Sequence, residues 1–456
     1  MEALQSIWKD FELPVGTLSS VHLTEEAQSL PSSFHVGTAA QTSIGLAAAA
    51  AGLAYEQRAG ESQSIEVSKH AAELECTGYF EFNGEALNAW EKFSGVYETS
   101  DGHVRIHANF DHHRDGVLEL LDLGDADETS KEDVQVALMS WQAEEFEQQA
   151  SDRGLVVAKV RTFAEWDAHP HAHWARTQPL INARQIRTGP PRPLNKIGPE
   201  ERPLTGVRVL DLTRILAGPI CGRTLAGYGA DVMLVNSPNL PNIASIIDTS
   251  RGKRSVHLDL LQEDERRKFC DLVRDADVLV QGYRPGGLAG LGFSEEELVR
   301  LNPTLVCVSL SAYGSDGPWG DRRGFDSLVQ TASGFNHAEA HAAGSSQPKT
   351  MPVPILDYAS GFLMAFAAQV GLYKRSTQGG SWSFEVSLLQ TANWLRRMGQ
   401  RSDGFSVPKF KFKDALREFR CAHGDLMAMP HGAQFSATPV YWQRASVQPG
   451  TDKPEW

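Results

Sequence analysis

The stretch from Leu204 to Leu260 constrains this chain more than any other. It reads L-T-G-V-R-V-L-D-L-T-R-I-L-A-G-P-I-C-G-R-T-L-A-G-Y-G-A-D-V-M-L-V and, after a short break, D-T-S-R-G-K-R-S-V-H-L-D-L. The run Val207 to Leu212 has strand length and ends with small residues, a Pro and a helical segment before a second apolar run at Val232 to Val235. That order is strand, loop, helix, parallel strand. In a doubly wound sheet the loop after such a strand lies at the carboxyl edge, where ligands bind and a helix N-terminus can face an anion.

The pattern continues downstream. Strands are expected at Ser255 to Leu260, Asp277 to Gln281 and Thr304 to Leu310, with helices at Gln262 to Arg274 and Phe293 to Leu301. Alternation of this kind predicts an α/β fold whose mostly parallel sheet is covered on both faces. Tyr313 to Asp326 then turns loop-like, His337 to Pro354 reads as a loop bearing His and Glu, and Gly361 to Tyr373 as an apolar helix.

Upstream, residues before about 35 look irregular, and Ile44 to Arg58 forms an Ala-rich helix. After that helix comes G-E-S-Q-S-I-E-V-S, Gly60 to Ser68, and the same pattern returns as G-G-S-W-S-F-E-V-S, Gly379 to Ser387, at a constant offset of 319 residues. Each copy follows an apolar helix, so a unit of helix, turn and strand is repeated. The segment Y-E-T-S-D-G-H-V-R-I-H, Tyr97 to His107, predicts a hairpin around its D-G turn. Acidic helical sequence follows from Asp115 to Arg153, then a strand at Gly154 to Val160. The Pro- and Gly-containing segment Thr188 to Pro203 is the best linker. It divides the chain into residues 1–200, a small-domain-like half with one copy of the repeat, and 201–456, a Rossmann-like half with the other.

A chain of 456 residues with 41% hydrophobic and 22% charged residues has the composition of a globular protein with ample core. Its net charge of −14 argues against broad nucleic-acid binding, which needs Lys and Arg against phosphates. Five cysteines lie far apart without C-x-x-C spacing, which suggests neither zinc nor a disulfide framework and favours a reducing compartment. M-E-A-L-Q-S-I-W-K-D lacks the character of a signal peptide, P-E-W is no targeting or lipid-anchor tail, and the Ala-rich run is short for a bilayer. The expectation is a cytoplasmic protein without membrane association. D-H-H-R-D at Asp111 to Asp115 and H-P-H-A-H at His169 to His173 could be tested as metal ligands. Pro170 and the helix-like flanks favour solvated turn residues instead, so no metal is expected.

Several motifs in order resemble the class III CoA-transferase family, which includes formyl-CoA and carnitine CoA-transferases and α-methylacyl-CoA racemases. They are V-L-D-L-T-R-I-L-A-G-P, G-A-D-V, G-K-R-S-V-H-L-D-L, A-D-V-L-V-Q-G-Y-R-P-G (Ala276 to Gly286), S-A-Y-G-S-D-G-P (Ser311 to Pro318), R-G-F-D-S-L-V-Q-T-A-S-G (Arg323 to Gly334) and P-V-P-I-L-D-Y-A-S-G (Pro352 to Gly361). Residues 1–200 resemble the later part of the same module, so the module order looks rotated and partly duplicated. The resemblance implies a Rossmann-like large domain, a smaller α+β domain and an interlocked homodimer. It also implies CoA as a cosubstrate, with no prosthetic group, and an acyl-CoA and a carboxylic acid as the molecules acted on.

CoA carries a pyrophosphate and a 3′-phosphate, which call for Arg and Lys forks. Arg214, Arg251, Lys253, Arg254 and Arg284 sit in loops after expected strands or at the ends of the motifs. Asn236, Gln281 and Gly282 stand where many family members carry Glu, Glu and Asn. The family's transferases use a carboxylate that attacks the thioester, placed in the loop beyond the S-G of R-G-F-D-S-L-V-Q-T-A-S-G. Here that loop has no Asp, and Glu339 is its only carboxylate. The racemases pair a His with a later Asp; Phe325 stands at the first position and Asp357 at the second. His337 or His341 could replace the missing His, although each alone is better read as an exposed loop residue. Asp326 matches a family position and could cap a helix. The leading expectation is a CoA-transferase using Glu339, Asp357 or Asp326. The alternatives are an acyl-CoA racemase and a non-catalytic CoA-binding paralogue.

Overall fold

The computed structural model describes residues 1–87, 90–407 and 412–456. Its centre is a seven-stranded sheet whose order is Arg254–His257, Asp231–Asn236, Arg208–Leu212, Val278–Gln281, Val306–Ser311, Ser381–Ser387 and Ile181–Arg187. All neighbours are parallel except the last pair, Ser381–Ser387 with Ile181–Arg187. The fold is α/β, with a Rossmann-like sheet and smaller sheets beside it.

Side chains alternate across each strand, so each face of the sheet needs its own cover. Leu210, Met233, Val256 and Leu279 pack with Phe269, Leu272 and Leu298 on one face, while Val209, Val232, Val278 and Val306 join a larger core with Ile220, Leu225 and the helix Ile355–Thr377 on the other. From Arg208–Leu212 the chain steps outward to Asp231–Asn236 and Arg254–His257, then crosses back to Val278–Gln281 on the other side. That reversal opens a crevice at the carboxyl ends of the two central strands.

The repeat is structural as well as sequential. Strand Ile65–Val67 is flanked by a parallel partner, Val21–Leu23, and an antiparallel one, Ala433–Phe435. Strand Ser381–Ser387 is flanked in the same way by Val306–Ser311 and Ile181–Arg187. Gly60 and Gly379 both adopt left-handed backbone (φ +80° and +79°), which closes the preceding helix and favours glycine at both turns. Ser68 and Ser387 each cap the following helix, accepting from Ala71 N–H and Gln390 N–H. The two long helices, Val36–Ala59 and Ile355–Thr377, lie against each other, and Gln369 Nε2 donates to Ala47 O at 3.0 Å. Both are long and apolar enough to cross a membrane, yet both are almost wholly covered by protein.

Other elements follow the expected pattern with local differences. The hairpin forms as Gly95–Glu98 with His103–Ile106 and gains a third strand, Val157–Lys159. The first 35 residues are more regular than expected. Helix Glu2–Asp10 buries Leu4, Ile7 and Trp8 along one stripe, and a strand follows at Val21–Leu23. The loop expected from His337 begins instead as helix Phe335–Ala342, started by Gly334 at φ +96°. Both sides of the Thr188 to Pro203 segment share one packing core, in which Leu46, Trp166, Val209 and Phe366 all take part.

Candidate active site

The crevice at the switch point continues into a deeper cavity. The outer part, about 470 Å³, is lined by Thr213, Arg214, Tyr283, Arg284, Arg323 and the first turn of helix Ala217–Gly227. The inner part, about 630 Å³, is lined by Trp90, Arg105, His107, Asp326, Gln330 and Tyr358 among others. Phe110, Ile215, Leu216, Phe325 and Asp357 border both. Gly218 lets the helix start against Thr213, since a Cβ there would lie 2.4 Å from Thr213 Cγ2. Gly361 likewise lets helix Ile355–Thr377 approach Ala217 O, 2.5 Å from where its Cβ would stand. These two close approaches set the first turn of one helix beside Asp357 in the first turn of the other.

Two of the three expected carboxylates meet here. Asp326 Oδ2 accepts from Asp357 N–H at 3.0 Å, and Gln330 Nε2 donates to Asp326 Oδ1. Asp326 thus satisfies one of the orphan donors at the start of a neighbouring helix rather than capping its own. Burial raises Asp326 to about 6, against the pull of those donors and of Arg105. Burial, and then the like charge of Asp326, push Asp357 well above the usual carboxylate range. The two therefore titrate as a pair.

Glu339 lies elsewhere. It is fully buried, accepts from Ser33 N–H at 3.2 Å and from Ser32 Oγ, and does not border the cavity. Burial raises its pKa against those donors. Its geometry is that of an internal acceptor that pins the Ser32–Ser33 turn.

The five expected basic residues divide in the same manner. Arg214 and Arg284 line the outer crevice, with Arg214 held by Pro241 O and 5.6 Å from the Phe110 ring. Lys253 is turned inward, donating to Asp211 Oδ2 at 2.7 Å and Pro219 O at 2.8 Å. Arg251 is buried between the rings of Phe419 and Trp442, 4.1 Å from each, and pairs with Asp248 at 2.8 Å. Arg254 pairs with Asp231 at the start of its strand. None of these three borders the crevice, because their charges answer carboxylates within the fold.

Other residues that reach the site were not singled out from the sequence. Arg323 sits inside the R-G-F-D motif, so the motif itself carried the signal. Arg105 lies on the hairpin strand His103–Ile106 and His107 just past its end, and the strand's alternation gave no hint that it would face a distant crevice. His107 stacks on Phe325 with centroids 4.1 Å apart, and burial followed by the nearby Arg105 charge lowers it to about 3. An imidazole thus reaches the place where the resemblance set Phe325 in lieu of a His. His337 and His341 do not border the cavity.

The histidine clusters are not solvated turns. His113 is buried on helix Asp111–Leu120, with Nε2 3.3 Å from Arg323. His171 is fully buried on helix Pro170–Ala175, its Nδ1 accepting from Trp319 N–H at 3.1 Å and its Nε2 2.9 Å from Tyr313 O. Among the described residues no group of three or more His, Cys, Asp or Glu side chains converges on a metal position.

The profile of CoA-transferase family III matches residues 14–184 and 204–404, and the chain belongs to that family. An acyl-CoA transferase of Gibberella moniliformis is 31% identical over 315 residues, covering 65% of this chain and 55% of its own length. The acetyl-coenzyme A transferase nodX of Hypoxylon pulicicidum is 35% identical over 221 residues, 47% of this chain and 37% of that protein. A succinate–glutarate CoA-transferase of Agrobacterium fabrum is 34% identical over 206 residues, 41% of this chain and 51% of its own. The chain thus spans about half the length of the curated relatives it matches. The crystal structure of Rv3272 from M. tuberculosis shares 33% identity over 43% of this chain and 56% of that one, with a TM-score of 0.40.

Proposed function

We propose that the chain transfers CoA between an acyl-CoA thioester and a carboxylic acid, with Asp357 as the attacking carboxylate. The observation that carries this reading is the position of Asp357 on the wall shared by the basic crevice and the inner cavity. The crevice suits the phosphates of CoA through Arg214, Arg284, Arg323 and the N-terminal turn of helix Ala217–Gly227. The inner cavity takes the acyl group.

An oxygen of ionised Asp357 attacks the thioester carbonyl. The C–S bond breaks, CoA leaves as thiolate, and the acyl group stays on Asp357 as a mixed anhydride. The thiolate then attacks the Asp357 carbonyl carbon, the donor acid departs as its carboxylate, and CoA is held as an aspartyl thioester. The acceptor carboxylate reverses the two steps and leaves as the new acyl-CoA. Partial desolvation suits this nucleophile, since a carboxylate lifted out of water attacks more readily. The first turn of helix Ala217–Gly227, which lines the same crevice, supplies N–H groups for the oxyanion.

Racemisation through two bases is less well served. It needs one group to remove the α-proton and another to return it on the opposite face, and no His stands at the Phe325 position; deuterium uptake at the α-carbon with no second acid would favour it over transfer. A non-catalytic role was suggested by the missing Asp in the loop that holds Glu339; Asp357 supplies a carboxylate at the cleft and removes that ground. The test is incubation with an acyl-CoA and hydroxylamine. An adduct on Asp357 and CoA exchange with free acid are expected, and the absence of both with every acyl-CoA tried sinks the reading. The reading includes a homodimer, which sedimentation tests, and a cytoplasmic setting, which the five free cysteines favour and cell fractionation tests.

A further inference from the structure

The inner cavity holds a cation that the fold leaves unanswered. Arg105, on the strand His103–Ile106, is 7% exposed and lines the cavity. Among the described residues it enters no ion pair, and its buried Nε has no hydrogen-bond partner. The Nε of buried Arg223 and Arg375 is likewise unpartnered, but their forks meet carboxylates, Glu75 and Asp248 for Arg223 and Asp277 for Arg375, while Arg161 meets Glu147 and Arg58 donates to backbone carbonyls. Asp326 draws Arg105 through space, but its oxygens already accept from Gln330 and Asp357 N–H. Trp90 lies against the guanidinium, 5.0 Å from ring centroid to Cζ. Burial lowers Arg105 to about 10, so it stays charged at neutral pH.

Leaving a guanidinium buried without a partner is costly unless something completes it. We propose that Arg105 is the carboxylate receptor of this cavity. The acid that exchanges CoA docks a carboxylate on the Arg105 fork and an apolar body against Trp90, Phe110, Ile215 and Val353. This rests on the transferase reading above. The docked carboxylate is either the one that receives CoA or a second one on a dicarboxylic chain, and the chemistry Arg105 recognises is the same.

The test compares wild type with Arg105→Gln and Arg105→Lys, using acetyl-CoA as donor and octanoate or octanedioate as acceptor. Arg105→Gln is expected to raise the KM for acid roughly 10- to 100-fold, as loss of a charged hydrogen bond does. The KM for acetyl-CoA should stay unchanged, and Arg105→Lys should recover part of the loss. Equal penalties for both acids assign the docked carboxylate to the reacting group; a penalty confined to octanedioate assigns it to the second one. A folded, active Arg105→Gln with unaltered KM for both acids overturns the proposal. So does a loss spread evenly over acid and acetyl-CoA with a lowered melting temperature, which a packing role would give. If wild type shows no exchange, the transferase reading is what fails, and calorimetry with the same acids decides the receptor. Binding lost in Arg105→Gln upholds it; no binding by wild type, or equal binding by both, overturns it.

Discussion

Two regions of this molecule take carboxylates and arginines out of water and treat them in opposite ways. In the seam between the first repeat, helix Ala217–Gly227 and the C-terminal strands, buried charges answer one another. Arg223 bridges Glu75 and Asp248, and Glu75 also accepts from Gly432 N–H at 2.8 Å and lies 2.9 Å from His431 Nδ1. Burial alone would raise Glu75, but His431 and Arg223 outweigh it and hold it at about 2. Around the inner cavity Asp357 is pushed up, and among the described residues neither it nor Arg105 enters an ion pair. Completed charges tie elements together, whereas incomplete ones are available to a ligand.

That comparison can be broken from either side. The largest effect is expected from Asp357→Asn, which should lower CoA exchange by at least about 10³-fold and abolish the hydroxylamine adduct while the fold persists. Exchange within a few-fold of wild type would move the chemistry elsewhere. Lys253→Met should leave Asp211 charged and unpaired in the core, costing about 3–5 kcal/mol of stability in urea unfolding. If it weakened only CoA binding, Lys253 would belong with the crevice.

Smaller effects sharpen the line. Glu339→Gln should cost about 1–3 kcal/mol through the Ser32–Ser33 turn and spare the exchange rate. Loss of exchange at full stability would restore Glu339 as the reacting carboxylate. Arg284→Ala, at an exposed crevice position, should raise the KM for acyl-CoA about tenfold with stability unchanged. The smallest expected change is a displaced pH profile. Asp357 must be ionised to attack, so exchange should rise with pH. Removing the Asp326 charge lowers the Asp357 pKa, and the acid limb of Asp326→Asn should move to lower pH. A limb that stays in place or moves up would separate the two carboxylates.

Much of the scaffold was legible in the sequence. The strands around V-R-V-L-D-L, D-V-M-L-V and V-L-V-Q follow from apolar runs and turn residues, and the structure differs from those readings by a residue or two. The repeat was legible because the same Gly and Ser are required at the same turn and cap. The first helix was missed because its apolar stripe of Leu4, Ile7 and Trp8 is short and its partners lie far along the chain. The site was half legible. Asp326, Asp357, Arg214 and Arg284 stand in motifs, but nothing local separates them from Glu339, Arg251, Lys253 and Arg254.

By itself the sequence determined the α/β alternation, the family and the loops from which a CoA site could be built, since these depend on periodicity and on motif order. Only the tertiary structure decided which charged side chains are spent inside the fold. Whether Lys253 meets Asp211 at 2.7 Å, Glu339 meets Ser33, or Arg105 meets no carboxylate among the described residues depends on which distant elements are packed together. Ionic and hydrogen-bonding energies act over a few ångströms, so residue type states what a group can do and the packing states what is left for it to do.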